Sequence, residues 1–214
     1  MNTGFEKYLN VTRYLDWSTP QVRSIVDSLI ADINGETDKA IRIFEYVRDR
    51  VPYTPYVNYF DRSLYVASNI IRGNATFCIP KAILLGAMAR AAGIPSRLRF
   101  AFIRNHQMSP KLKELLGDDV LYHHGFAELY IGGSWVKATP AYDSAVSAQM
   151  NVPVVLFDGM HDATLPSHDL KGNPHVEYLQ FSEAFDDAPE EYLLRVFDEK
   201  YGHNPALTEA VKML

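Results

Sequence analysis

Residues 74–100, NATFCIPKAILLGAMARAAGIPSRLRF, decide the fold and contain the single cysteine of the chain, Cys78. Pro80 is tolerated only in the first turn of a helix, where amides lack intrahelical partners, so a helix must begin just before it. Gly93 and Pro95 end that helix. Small and apolar side chains recur on one of its faces, which is typical of a helix that packs closely on a sheet. The positions on this face are Cys78, Ala82, Leu85, Ala89 and Ala92.

The hydrophobic period changes immediately after this helix. In SRLRFAFI, Leu98 and Phe100 alternate with Arg97 and Arg99, which is the two-residue period of a β-strand. Such arginines are ordinarily solvated, so we expect both to be exposed; the alternative is that they bind an acidic group of a substrate. Further along, HHGFAELYI and SWVKATP are separated by two glycines, which predicts a β-hairpin. VEYLQF predicts a last strand.

Helical patterns precede and follow these strands. They cover residues 19–35, 36–53, 109–117, 188–202 and 205–214. Helices first, an antiparallel sheet next and helices last predict an α+β fold with helices packed on the sheet. No repeat, low-complexity segment or linker interrupts the chain, so we expect a single domain over residues 1–214, with a C-terminal loop, strand and helices over 144–214.

Composition restricts the classes of function. The chain has 214 residues, a formal net charge of −5 and no lysine- or arginine-rich run, which argues against nucleic acid as a partner. No stretch approaches the roughly 18 apolar residues of a membrane span, and the first residues do not have the pattern of a secretory signal. One cysteine cannot form an internal disulfide. We therefore expect a cytoplasmic protein without a membrane partner.

Cys78 and His124 carry the candidate chemistry. A helix N-terminus stabilises an anion, so a thiol in the first turn is placed to react as a thiolate. An inert buried cysteine is also common at this place, and the helix alone favours that interpretation. A nucleophilic cysteine needs an imidazole base, and His124 begins HGFAELY, where it shares a strand face with Phe126 and Glu128. His123 is expected to point the opposite way.

Three motifs occur in order along this part of the chain. The cysteine helix leads into GIPSR at 93–97, HGFAELY follows at 124–130, and Trp135 comes shortly after two glycines. Together, over about residues 35–143, they resemble the transglutaminase-like superfamily, whose patterns are GIPAR, H-x-W-x-E-x-Y and G-x-W. The resemblance implies a papain-like core and cysteine-dependent acyl transfer at an amide or peptide bond, through a thioester on Cys78. It implies a peptide or protein amide as substrate and no cofactor.

The same resemblance implies the roles of the site residues. Cys78 is the nucleophile, with its backbone amide as an oxyanion donor, and His124 is the base. The family usually orients the base with an aspartate in D-P-T, but this chain has Thr139, Pro140 and Ala141 there. Thr139 can accept a hydrogen bond from the imidazole but brings no negative charge. Asp143, four residues later, could fold back and orient His124 instead.

More remote candidates for orienting His124 are Asp158, Asp162 and Asp169. The alternative to an enzyme is a catalytically weak or inactive module that holds a peptide in the same cleft. The oligomeric state and the choice between water and an amine as acceptor stay open.

A loop rich in histidine and carboxylate runs from 151 to 175. Its titratable residues, with the strand residue that follows, are His161, Asp162, His168, Asp169, His175 and Glu177. Their spacing matches no metal-ligand motif. We expect no metal and a loop that borders the substrate entrance.

Overall fold

The computed structural model describes residues 4–202. Its helices are α1 (Pro20–Leu29), α2 (Glu36–Arg50), α3 (Ala67–Ile70), α4 (Cys78–Ala91), α5 (Pro110–Leu116), α6 (Ser144–Gln149) and α7 (Glu190–Tyr201). Its strands are β1 (Ser96–Asn105), β2 (Val120–Ile131), β3 (Ser134–Ala138) and β4 (Val176–Phe181). Short 3-10 helices occupy Glu6–Tyr8 and Arg62–Tyr65. The helix expected over 205–214 lies outside the described residues.

The strands form one antiparallel sheet in the order β3-β2-β1-β4. The predicted hairpin joins β2 to β3 through Gly132 and Gly133, whose φ angles of 57° and 88° favour glycine. In β1 and β2, Leu98 lies opposite Ala127 on the face that meets α4, and Arg97 lies opposite Glu128 on the other face. The predicted α+β class, with helices packed on an antiparallel sheet, is confirmed.

Helix α4 is enclosed on all sides, which differs from the one-faced burial that its pattern predicts. Every one of its residues is buried, including Lys81 and Arg90. The Lys81 ammonium donates to the carbonyl oxygens of Arg48 and Val51, at 2.8 and 2.6 Å, near the end of α2. Burial lowers the pKa of Lys81 to about 7. These bonds tie α2 to the central helix, which starts at Cys78.

Strand β2 and the first turn of α4 are in direct contact at Gly125. A Cβ on this residue would lie 2.8 Å from Cα of Ile79, closer than any side chain permits. Only glycine lets the strand approach the helix backbone here. The contact places Cys78, which precedes Ile79, beside the strand that carries His124.

Some boundaries differ from the sequence-based expectation. Helix α1 ends at Leu29, before the predicted end at Gly35, and the short α6 was not predicted. Strand β2 begins at Val120, so His124 lies inside the strand and not at its start. The pairing of β1 with β2 is interrupted by a bulge next to His123, whose φ is 67°.

Candidate active site

Cys78 is the first residue of α4, and its side chain is buried. Backbone N–H groups of Gly125, Ile79 and Cys78 itself donate toward the sulfur and favour the thiolate, as the nearby Lys81 does. Burial outweighs them and raises the pKa of the thiol to about 11. The thiol is therefore protonated at neutral pH in this arrangement.

His124 is 2% exposed and lines the same cavity as Cys78. Its Nε2 is fully buried without a hydrogen-bond partner. Burial lowers the pKa of the imidazole to about 3, so the ring is neutral. No hydrogen bond joins it to Cys78 among the described residues. The structure thus brings the predicted nucleophile and base to one cavity as two uncharged groups.

Helix α7 forms one wall of this cavity and narrows it. The remaining space is about 30 Å³, and Phe197 and Tyr201 of α7 line it together with Tyr59. The Tyr59 ring lies 5.5 Å from that of Phe197, and the Tyr201 hydroxyl accepts a 2.9 Å hydrogen bond from the amide of Tyr122 on β2. The space next to Cys78 is too narrow for a peptide, so we expect the cover formed by Phe197 and Tyr201 to shift when one binds.

His123 also borders the cavity, which differs from the expectation that it points away. The bulge turns the residue, and its ring packs against Phe102 and Tyr192 at centroid distances of 5.2 and 5.0 Å. Both ring nitrogens are buried without partners, and burial lowers the pKa to about 4. Two neutral histidines therefore border the cavity that Cys78 lines.

Thr139 and Asp143 follow β3 and differ in what their side chains contact. Thr139 is fully buried, and its Oγ1 makes no hydrogen bond of normal geometry. Asp143 caps α6 by accepting from the amide of Val146 at 2.8 Å, and it also accepts from the amide of Tyr53 at 2.7 Å. No described contact joins Asp143 to His124, so its orienting role stays a prediction without a supporting contact.

The three remote aspartates are also engaged elsewhere. Asp158 pairs with the exposed His161, and Asp162 pairs with Lys137. Asp169 accepts hydrogen bonds within its own loop, from the amides of residues 171 and 173 among others. None of them contacts His124 in the part of the chain that the structure describes.

Glu128 lies on the His124 face of β2 and is buried with two partners. Its carboxylate binds Arg97 Nε at 2.5 Å and Arg99 Nη1 at 3.0 Å. The Arg97 guanidinium also lies 4.1 Å from the centroid of the Trp135 ring. The expectation that the two arginines are simply solvated is wrong, because the register of β1 on β2 places a buried carboxylate opposite them.

Tyr178 on β4 is a neighbour of His124 that sequence reasoning missed. The two rings lie 6.0 Å apart at 71°. The Tyr178 hydroxyl accepts a 3.1 Å hydrogen bond from the amide of Leu165, in the loop before β4. The alternation in VEYLQF predicted the strand, but it carries no information about which distant side chain shares its face.

The histidine-rich loop lines a separate cavity of about 700 Å³, which Tyr178 also borders. Within residues 4–202, no group of three histidine, cysteine, aspartate or glutamate side chains is arranged to hold a metal ion. No helix among these residues is both long and apolar enough to cross a membrane.

The resemblance to the transglutaminase-like superfamily is supported by a family model. The family model of the transglutaminase-like superfamily matches residues 23–140, more than half of the chain. This confirms the predicted family and extends the match to α1. No curated protein matches the chain in sequence.

Two solved structures are similar at low identity. One is a candidate cysteine protease from Cytophaga hutchinsonii, with 18% identity and a TM-score of 0.49, covering 86% of this chain and 56% of that one. The other is a candidate protease from Parabacteroides distasonis, with 15% identity and a TM-score of 0.42, covering 65% of this chain and 27% of that one. The chain spans little more than half of the first and about a quarter of the second.

Proposed function

Because the chain belongs to the transglutaminase-like superfamily, we propose that it catalyses acyl transfer at an amide or peptide bond through a thioester on Cys78. The observation that carries the proposal is the shared cavity: Cys78, at the N-terminus of α4, and His124, on β2, line it together. A nucleophile at a helix start beside a histidine matches what thiol catalysis requires.

The reaction follows from these two side chains. The sulfur of Cys78 attacks the amide carbonyl carbon, a C–S bond forms, and the thiol proton passes to His124. His124 then protonates the amine as the C–N bond breaks, leaving a thioester. Water or a second amine attacks the thioester carbon, gives a proton to His124 and releases the sulfur, which recovers that proton.

The helix start supplies stabilisation of the oxyanion. The backbone N–H of Cys78 belongs to the first turn of α4, whose amides have no intrahelical acceptor. Such a donor is effective when it is already aimed at the position where negative charge develops. We assign the Cys78 amide to this role.

The cover of α7 must be displaced before a substrate binds. The cavity of about 30 Å³ excludes a peptide, and the raised pKa of Cys78 has burial as its main cause. Movement of Phe197 and Tyr201 would open the cleft and admit solvent. The same movement would lower the thiol pKa, because solvent would reduce the effect of burial while the first-turn amides and Lys81 would still stabilise the thiolate.

A second candidate function is a module that holds a peptide without cleaving it. The observation in its favour is that no carboxylate contacts His124 among the described residues, so an imidazolium would lack a charged partner. Tyr53 and Tyr59, which line the cavity, would then serve as contact area for a bound peptide.

The test measures acyl transfer and its trapped intermediate together. Wild type, Cys78→Ala and His124→Gln are incubated with a set of fluorogenic peptide anilides, and with dimethylcasein plus a fluorescent primary amine. We expect product only with Cys78 present, and mass spectrometry of acid-quenched enzyme should show an acyl adduct that hydroxylamine removes. Anilide cleavage would indicate water as acceptor, and labelled casein would indicate an amine.

Iodoacetamide alkylation from pH 5 to 10 provides the second readout. A reactive thiol whose pH profile depends on His124 supports the enzyme even if these substrates are poor. A thiol that alkylates only near its unperturbed pKa in wild type and His124→Gln alike, with no acyl adduct, contradicts the enzyme and favours the binding module.

A further inference from the structure

Two buried polar atoms without partners lie on the same face of the sheet. They are Nε2 of His124 and Oγ1 of Thr139. Ala138, the last residue of β3, pairs with Ala127 of β2. The next residue, Thr139, therefore lies beside Phe126, which is two residues from His124 on β2. Buried polar atoms are rarely left without hydrogen bonds. A proton on His124 Nε2 and a lone pair on Thr139 would satisfy each other.

Tyr178 completes the cluster from β4, the strand beyond β1 in the sheet. It lies at the edge of the His124 ring, and its hydroxyl is held by the amide of Leu165. Burial raises the pKa of Tyr178 to about 12, while the Leu165 amide and the neighbouring Thr139 hydroxyl act in the opposite direction. The Tyr178 hydroxyl therefore stays protonated, and the Thr139 hydroxyl is close enough to influence it.

We propose that the Thr139 hydroxyl, held by the hydroxyl of Tyr178, accepts a hydrogen bond from His124 Nε2–H and orients the imidazole in place of a carboxylate. Tyr178 and Thr139 are then positioning residues. The proposal deepens the proposed function, on which it rests, by assigning the orienting group of the same site.

The protons of this chain of bonds can all be placed. Thr139 accepts from His124 and donates to the Tyr178 oxygen, whose other lone pair accepts from the Leu165 amide. The Tyr178 proton is left for water, because Tyr178 also borders the open cavity of about 700 Å³. With Nε2 protonated, the lone pair of Nδ1 is free to take the proton of Cys78.

A neutral orienting group has a chemical consequence. A carboxylate stabilises imidazolium, and so favours a thiolate–imidazolium pair before substrate binds. Two hydroxyls fix the ring and its tautomer without adding charge. Cys78 and His124 then rest as neutral groups, and the proton moves during attack on the carbonyl.

The experiment reads the tautomer of His124 by nitrogen NMR of protein labelled at histidine, with His124→Gln to assign the signals. At pH 8 we expect wild type to carry the proton on Nε2. Thr139→Val, which keeps the shape but removes the hydroxyl, should give a mixture of tautomers. Thr139→Ser should restore the wild-type pattern, and Tyr178→Phe should shift it in the direction of Thr139→Val.

Alkylation of Cys78 gives a reactivity readout on the same variants. We expect the rate at pH 8 to fall roughly tenfold in Thr139→Val, about the effect of one hydrogen bond, and to recover in Thr139→Ser. Should Thr139→Val fail to fold, the serine and phenylalanine variants still decide the question.

A wild-type proton on Nδ1, or identical tautomers in Thr139→Val and Thr139→Ser, would overturn the proposal. The tautomer is measured without substrate, so it separates this proposal from the activity. A tautomer that responds as expected, with no acyl adduct on Cys78, would keep the positioning role and remove the acyl transfer.

Discussion

The buried polar groups at the two ends of one face of β2 differ in whether they have partners. Toward one end, Glu128 is buried and bound by Arg97 and Arg99. Toward the other end, His124 on β2 and the neighbouring Thr139, which follows β3, are equally buried, but their Nε2 and Oγ1 have no partner of normal geometry. The same strand therefore carries one polar site that is fully paired and one that is not.

The difference separates a structural role from a functional one. A buried carboxylate that is paired on two sides holds strands together. Buried polar atoms left unpaired destabilise a fold, and they are retained where chemistry needs them. The unpaired end is also the end that borders Cys78 and lies under α7.

Removing the charge at the paired end should have the largest effect on stability. In Glu128→Gln, Arg97 and Arg99 lose their carboxylate, and we expect a loss of roughly 2–4 kcal/mol in the free energy of unfolding, because both cations are mostly shielded from water. Urea denaturation measures it. Asp119→Asn, which removes a carboxylate from the more exposed pairs with Lys113 and Arg104, is the matched control and should cost clearly less, because solvent screens these pairs. Equal losses would contradict the distinction.

Acid should lower the free energy of unfolding through the buried histidines at the unpaired end of β2. Burial holds the pKa of His124 at about 3 and that of His123 at about 4, both below the unfolded value. The unfolded chain therefore binds more protons, so the stability is complete above about pH 6.5 and is lost as the pH falls toward those values. Between pH 7.5 and 4.5, we expect wild type to lose roughly 2 kcal/mol more than His124→Phe.

Unfolding curves at several pH values measure this difference. The carboxylates of the molecule titrate in the same window, so only the difference between wild type and His124→Phe isolates the histidine. Parallel pH dependences for the two proteins would show that His124 is not held neutral by burial.

At neutral pH, replacing His124 should cost less stability than replacing Glu128. His124→Phe removes one neutral hydrogen bond, the proposed bond from Nε2–H to Thr139, and no charge, so we expect a loss of about 1 kcal/mol in the free energy of unfolding. Alkylation of Cys78 should lose its dependence on the imidazole. His175→Phe is the control, since His175 is fully buried with both nitrogens unpaired but is not among the residues that line the Cys78 cavity. It should leave alkylation unchanged, and a loss of stability in His124→Phe as large as that in Glu128→Gln would contradict the comparison.

The smallest effect is expected from loosening the cover of the unpaired end. Tyr201→Phe removes the hydrogen bond to the Tyr122 amide, worth about 1 kcal/mol, and should raise the alkylation rate roughly fivefold if Cys78 reacts when α7 opens. Tyr192→Phe alters a hydroxyl on the same helix without breaking any described hydrogen bond. Its alkylation rate should match wild type, and no increase in Tyr201→Phe would argue that reagents reach the thiol by another route.

Local patterns predicted the elements that build the site. Pro80 marked the start of α4, so Cys78 was correctly placed in the first turn. The glycine pair predicted the β2–β3 hairpin, and alternation placed Arg97 and Arg99 on one face of β1. Each of these rests on a preference that neighbouring residues decide, which is why the sequence sufficed.

Partners across the sheet were not predictable in the same way. Alternation assigned a face to Arg97 but could not show that Glu128 lies opposite, because register depends on the pairing of two strands. Tyr178 meets His124 only because β4 adds to the far side of β1. The enclosure of α4 was missed for the same reason: helical periodicity describes one helix, and burial on every side requires the other elements.

The sequence by itself determined the family, the α+β class, the helix that begins at Cys78 and the strand that carries His124. Only the tertiary structure decided that these groups share one cavity, that α7 covers it, and that burial makes both neutral. The physical reason is the range of the interactions. Backbone preferences act over a few residues along the chain, whereas desolvation and hydrogen bonding depend on whatever the fold brings within a few ångströms.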